Sequence, residues 1–236
     1  MAFVTYKIQK QLRTVGRGAT EAKHGRLESI VKQDNAESPA QVYCEYVACR
    51  LAAMVGVPVA TGVLVAHDTG LKYASLMLSE IAVRMEDVND NKLDKLLSRY
   101  PVECAKIAVF DIWIGNPDRL GNVRANLGRS SDHIIVGIDH GGGLLSCATN
   151  QYYAIDRLRD KSWPENHAFG SQLSKSYCDA MVSRIQRIDD EAIDDACVIG
   201  DTVGSVMLPE QAELSEILKQ RRSWLSEMVA ETLFST

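Results

Sequence analysis

Two acidic residues in turn-like settings, with amide side chains between them, are the residues of this sequence best suited to chemistry. The run Phe110-Asp111-Ile112-Trp113-Ile114-Gly115-Asn116-Pro117-Asp118-Arg119 leads from an apolar helical pattern into a loop. Asn122 and Asn126 follow, and Ile138-Asp139-His140-Gly141 closes a strand. An acid in a loop, an amide before a strand and a second acid at that hairpin's exit can converge on one site. Phosphoryl transfer needs such a set: one carboxylate orients the attacking hydroxyl, while the other and an amide oxygen hold Mg²⁺ against nucleotide phosphates.

Three upstream features could complete it. Lys32 ends the strand pattern Leu27-Glu28-Ser29-Ile30-Val31-Lys32, and alternation puts it on the face of Ile30. Glu45 shares a helical face with Ala48, Cys49 and Ala52. A carboxylate among small residues points to close packing, and a partly buried anion wants a cation, for which Lys32 and Arg50 are the candidates. Gly16-Arg17-Gly18-Ala19-Thr20 could offer backbone N–H groups to phosphates or simply turn the chain, and it matches neither a Walker loop nor a dinucleotide fingerprint.

Among the elements that hold these residues, Ser38-Pro39-Ala40-Gln41 reads as a capping box with Pro at the first helical position. Gly56 and Pro58 stop the helix, which bounds it at about Pro39 to Val55. Strands are expected over Val57 to Val65 and Leu71 to Leu78, joined by the turn His67-Asp68-Thr69-Gly70. Beyond a boundary near residues 79–90 the periods become helical: Val102 to Ile114, Gln172 to Ile188, Asp190 to Val198 and Glu210 to Phe234, interrupted by a hairpin whose clearest strand is His133 to Ile138.

Composition narrows the function classes. With 46% hydrophobic and 24% charged residues, the 236-residue chain can bury a core and is neither disordered nor fibrous. A formal charge of −5 argues against direct nucleic-acid binding as the main role. Six scattered cysteines without a Cys-x-x-Cys pair read as buried free thiols. No secretory signal opens the sequence and no run approaches the ~18 apolar residues of a membrane span, so a cytoplasmic protein without a membrane partner is expected.

In this order the motifs resemble those of the HipA-like kinases, atypical Ser/Thr kinases related in fold to protein kinases and phosphoinositide lipid kinases. Ile30-Val31-Lys32 resembles the family's nucleotide-binding lysine strand, and Glu45-Tyr46-Val47-Ala48-Cys49-Arg50-Leu51-Ala52, running on to Val55-Gly56-Val57-Pro58, resembles its helix-to-strand segment. Asn116-Pro117-Asp118-Arg119 resembles the catalytic loop, Ile138-Asp139-His140-Gly141 the metal-binding loop, and Arg221-Arg222-Ser223-Trp224-Leu225 the final helix of shorter members. The resemblance spans about Gly16 to Leu225.

It implies an α+β, two-lobed protein-kinase-like fold. Residues 1–80 would form a small β-rich N-lobe with one helix, and residues 81–236 a larger helical C-lobe, together one kinase-like domain. It implies ATP and Mg²⁺ as cofactors and transfer to a hydroxyl, that of a protein Ser or Thr first, with autophosphorylation included. Carried over, Lys32 contacts the α and β phosphates with Glu45 holding it, Asp118 orients or deprotonates the acceptor, and Asp139 binds the metal. Gly16 and Gly18 lie over the phosphates, and the adenine rests near Glu80 and Ile81.

The family's metal-binding Asn usually lies five residues after the catalytic Asp, whereas Asn122 lies four after Asp118 and Asn126 eight. Asn126 stands thirteen residues before Asp139, the usual downstream spacing, so it is the expected metal ligand with Asn122 the alternate. Leu120 replaces the His often found after Asp-Arg. His140 would order the metal-binding loop, contact phosphate or make a structural hydrogen bond, while His24, His67, His133 and His167 show no ligand spacing. An acceptor pocket is expected after Gly143, around Tyr152 to Phe169. Two alternatives share these residues: a nucleotide-binding pseudokinase acting as an interaction module, and a small-molecule kinase.

Overall fold

The computed structural model describes residues 6, 8–15, 22–78, 85–128, 133–148 and 150–235. Its elements run β1 (Ile8–Thr14), β2 (Lys23–Leu27), β3 (Ser29–Lys32), α1 (Gln41–Val55), β4 (Gly62–His67), β5 (Gly70–Leu76), β6 (Glu86–Asp87), α2 (Leu93–Arg99) and α3 (Pro101–Ile114). There follow β7 (Val123–Ala125), β8 (Ile135–Gly137), α4 (Gln151–Arg159), α5 (Lys175–Gln186), α6 (Asp190–Cys197) and α7 (Leu208–Phe234). Small sheets thus dominate the N-terminal third and helices the remainder, a mixed α/β arrangement.

The strands form a β1–β2 ribbon, a β3-β5-β4 sheet and a β6-β7-β8 sheet, antiparallel throughout. His67 pairs with Gly70, so the β4–β5 turn has the two central residues Asp68 and Thr69, and Gly70 supplies the positive φ of 111° that closes it. β6 pairs with β7, with Asp87 opposite Arg124, so the chain from residue 86 onward belongs with the later hairpin. A parallel bridge from Val59 to Gly137 joins the earlier strands to that hairpin, where Gly137 N donates to Pro58 O at 2.8 Å and Ala60 N to Gly137 O at 3.1 Å.

α1 ends where the glycine predicts, with Gly56 left-handed at φ 66°. Its start differs from expectation. The helix begins at Gln41 rather than Pro39, and no capping side chain comes from the Ser38 box. Instead Asp34 reaches across the turn and its Oδ1 accepts Val42 N at 2.8 Å, satisfying one of the orphan amides. β4 also starts later than the expected strand at Val57, because the chain first bridges to Gly137. β1, β2, β6, α2 and α4 add elements beyond those expected. β1 and β2 are exposed along most of their length and so lack the alternation that marks a half-buried strand.

α3 is the centre of the core. Every residue from Ile107 to Ile114 is buried, and a helix apolar all round must be enclosed; α5 and α7 pack against it. α1 lies between the β4–β5 hairpin and α6. A smaller apolar cluster gathers Ala60, Leu78, Met85, Ile134 and Val136 where the two three-stranded sheets approach each other. All six cysteines are free thiols and five are buried, consistent with their scattered spacing. Among the described residues, no helix is long and apolar enough to cross a membrane.

Candidate active site

β3, α1 and the segment after β8 meet at one carboxylate. Glu45, on α1, is 3% exposed, and its Oε1 forms an ion pair with Lys32 Nζ from β3. The same oxygen accepts the backbone N–H groups of His140 and Gly141, each at 3.1 Å. Arg50, the other candidate partner, turns away to Asp195 O at 2.7 Å. Burial raises the Glu45 carboxyl above its ordinary pKa, and the charge and hydrogen bond of Lys32 work against that shift.

Lys32 has a second partner, Asp139 Oδ1 at 2.8 Å. Burial would raise the Asp139 pKa, but the hydrogen bond and charge of Lys32, helped by Gly141 N–H, outweigh it and hold the carboxyl below its usual range. Asp139 takes a left-handed φ of 52°, which turns the chain sharply out of the hairpin. The glycines that follow permit close approach. A Cβ on Gly143 would lie 3.1 Å from Asn116 Cβ, and one on Gly142 would lie 3.5 Å from Asp118 Cβ, so the Asp139 and Asp118 loops touch along this stretch.

α3 delivers the Asp118 loop. Gly115 ends the helix with φ 69°, and Asn116 N returns to Asp111 O at 2.8 Å. Asp111 is the buried hub beneath it. Its carboxylate accepts Asn116 Nδ2 at 2.9 Å, Arg119 Nε and Nη2 at 2.7 Å each, and His167 Nε2 at 3.1 Å. His167 Nδ1 accepts Phe169 N at 3.1 Å, so the ring carries its proton on Nε2 and points it at the carboxylate. Burial alone would raise the Asp111 pKa; the Arg119 charge and hydrogen bonds reverse this and keep it well below the ordinary carboxylate value.

Arg119, fully buried, spends its remaining donor Nη1 on Asn122 O and Ile138 O, both at 2.8 Å. One guanidinium therefore ties the loop of Asp118 to the strand exit that carries Asp139. Asp118 itself is exposed, and Asn122 Nδ2 donates to its backbone oxygen at 2.9 Å and to Oδ2 at 3.1 Å. His140 is buried with its ring edge-on to Phe110, and desolvation together with the Arg119 charge pushes its pKa down to about 3, so the imidazole is neutral.

The two asparagines separate clearly. Asn122 precedes β7 beside Asp118, and Ile138 N donates to Asn122 O at 3.0 Å, next to Asp139. Asn126 follows β7 at its other end, where its backbone oxygen accepts Tyr100 Oη at 2.7 Å and its Oδ1 accepts Gly128 N at 3.1 Å. Asn122 is therefore at the end of β7 on the side of the aspartates, and Asn126, the expected metal ligand, is at the strand's opposite end. Of the other expected residues, Gly16, Gly18, Glu80 and Ile81 lie outside the described residues.

Beside Lys32 opens a cavity of about 150 Å³. Ile30, Ala60, Leu76 and Leu78 give it apolar walls, Lys32, Glu45 and Asp139 line it with charge, and Ser75, Met77, Ile138 and Arg124 complete it. Sequence reasoning gave no role to Asp111, Arg119, His167 or Arg124. A lone acid within the apolar run from Ile107 to Ile114 was the available signal for Asp111, since a buried carboxylate implies partners.

No family model and no curated protein matches the sequence. The fold is that of the HipA-like kinases. The crystal structure of a Helicobacter pylori proinflammatory kinase, CtkA, superposes over 99% of this chain and 98% of that chain, with a TM-score of 0.63 and 17% identity. HipA, in the Shewanella oneidensis MR-1 toxin–antitoxin complex of HipA, HipB and operator DNA, matches with a TM-score of 0.58 and 14% identity. That match covers 94% of this chain and 66% of the longer one.

Proposed function

We propose that this protein is an ATP- and Mg²⁺-dependent phosphotransferase of the HipA-like kinase type, acting first on the Ser or Thr hydroxyl of a protein, itself included. The observation that carries this reading is Lys32 bridging Glu45 and Asp139 at an apolar cavity, with Asp118 joined to the same strand exit through Arg119. The division into two lobes, residues 1–80 and 81–236, belongs to the same proposal, with the cavity between them.

In this reading the apolar walls take the base and Lys32 neutralises phosphate oxygens, its ammonium positioned by the buried Glu45. Asp118, exposed at the loop tip, orients the acceptor hydroxyl and takes its proton. The donor chemistry suits Mg²⁺: Asp139 and Asn122 offer hard oxygen ligands. Among the described residues no group of three or more His, Cys, Asp or Glu side chains could hold a metal alone. Mg²⁺ in such sites is held by one or two protein oxygens plus substrate phosphates. When bound, Mg²⁺ supplies charge neutralisation at the β and γ phosphate oxygens.

The test is transfer from radiolabelled ATP with Mg²⁺ to a generic Ser/Thr acceptor and to the protein itself. Transfer is expected to disappear in Asp118→Ala and Asp139→Ala, and wild-type activity in both purified variants would sink the proposal. A second reading, nucleotide binding without transfer, is favoured by the shortened spacing from Asp118 to Asn122 and by Asn122 turning its amide onto Asp118. ATP-dependent thermal stabilisation without measurable transfer would decide for it.

A further inference from the structure

Besides Lys32, the cavity is lined by a second cation, Arg124. Register sets Arg124 opposite Asp87 on β6 and opposite Val136 on β8. Directly paired residues share a face of a sheet, so Arg124 projects on the side of Val136, the side on which Ala60 and Leu78 pack. Arg124 Nε donates to Asp87 Oδ1 at 2.9 Å, which holds the guanidinium by one edge. Its side chain is 29% exposed, whereas Asp87 is 71% exposed, so the pair stands at the cavity's wet margin rather than in the core. Lys32, the first cation, pairs with Glu45 and Asp139.

A guanidinium fixed along one edge still offers its flat π face, and Ile30, Ala60 and Leu78, which line the same cavity, are apolar. A flat aromatic ring fits between such surfaces, and a cation over its face attracts it through the ring quadrupole. Resting on the nucleotide site proposed above, we infer that Arg124 is the base-recognition residue of the cavity: its guanidinium, anchored by Asp87, stacks on the purine ring and sets a preference for purine over pyrimidine nucleotides.

Isothermal titration of the full chain with ATP, GTP, CTP and UTP in the presence of Mg²⁺ tests this. Wild type is expected to favour the purines. In Arg124→Leu the purine dissociation constants should rise about 5–30-fold, the worth of a partly desolvated cation–π contact, while the pyrimidine constants rise less. Unchanged or tighter ATP binding in Arg124→Leu overturns the inference, as does an equal loss for all four nucleotides, which would mark a general charge effect on the phosphates. Arg124→Lys keeps the charge but not the plane and carries the test if the Leu variant fails to fold. It should lose most of the purine preference, and full retention would refute stacking. Wild type binding none of the four nucleotides would overturn the nucleotide site itself, an outcome distinct from a wild type that binds them with Arg124 indifferent.

Discussion

Arg221 offers a quantitative test of how the Asp118 loop is held. It lies on the 27-residue α7, is fully buried, and donates five hydrogen bonds, all to backbone carbonyls. Nε reaches Trp113 O at 2.8 Å; Nη1 reaches Leu158 O at 2.7 Å and Asp160 O at 3.3 Å; Nη2 reaches Ile112 O and Trp163 O at 2.6 Å each. Ile112 and Trp113 belong to the last turn of α3 and Leu158 to that of α4, where a cation is favoured; Ile112 O and Asp160 O also accept Gly115 N and Trp163 N, at 3.4 and 3.3 Å. Burial lowers its pKa to about 10, so it remains charged at neutral pH.

Arg221→Lys keeps the charge but can satisfy only one or two carbonyls at once. With about three of the five hydrogen bonds lost at ~1 kcal/mol each, the expected loss is roughly 3 kcal/mol, or about 6–12 °C in Tm for a domain of this size. Arg221→Met abandons all five and should cost about 5 kcal/mol or more, most of an ordinary stability reserve. Urea unfolding followed by the fluorescence of Trp113, Trp163 and Trp224 measures both. A Lys variant within about 0.5 kcal/mol of wild type, or a Met variant no worse than Lys, would refute the reasoning.

Two further outcomes follow from the buried charges. Asp111→Asn leaves the Arg119 guanidinium in the core without its counter-ion, and urea unfolding should show a loss of about 3–5 kcal/mol. His140, neutral in the fold with its pKa lowered to about 3, leaves the unfolded chain to bind the extra proton below its ordinary ~6.5. Stability should therefore decline as pH falls from about 6.5 toward 3, by roughly 2 kcal/mol between pH 7 and 5, and the decline should flatten in His140→Asn; an equally steep profile in that variant would assign the effect to other groups.

What could be read from the sequence was local or carried by motif. Gly56 and Gly115 end helices because a left-handed residue is needed there, and the Asp68-Thr69 turn declares its hairpin through Gly70. The order Lys32, Glu45, Asp118, Asp139 pointed to residues that do converge around one pair of loops. Contacts between distant parts of the chain were not legible. Asp34 caps α1 from eight residues before Val42, a reach that no short capping pattern encodes. His167 meets Asp111 across 56 residues, with nothing in its neighbours to announce a partner. Which of Asn122 and Asn126 lies on the side of the aspartates depended on the direction of a three-residue strand rather than on any count of spacing. Arg124 sat unremarked in that strand because only its register reveals which side it faces.

The oxygen Glu45 Oε1 joins a strand near residue 32, a helix near residue 45 and a loop near residue 140 at a single point. Errors in the placement of three independent elements would ordinarily accumulate. Here they share one origin, so the separation of Lys32 from Asp139 is governed by the width of an atom rather than by the flexibility of the hundred residues between them.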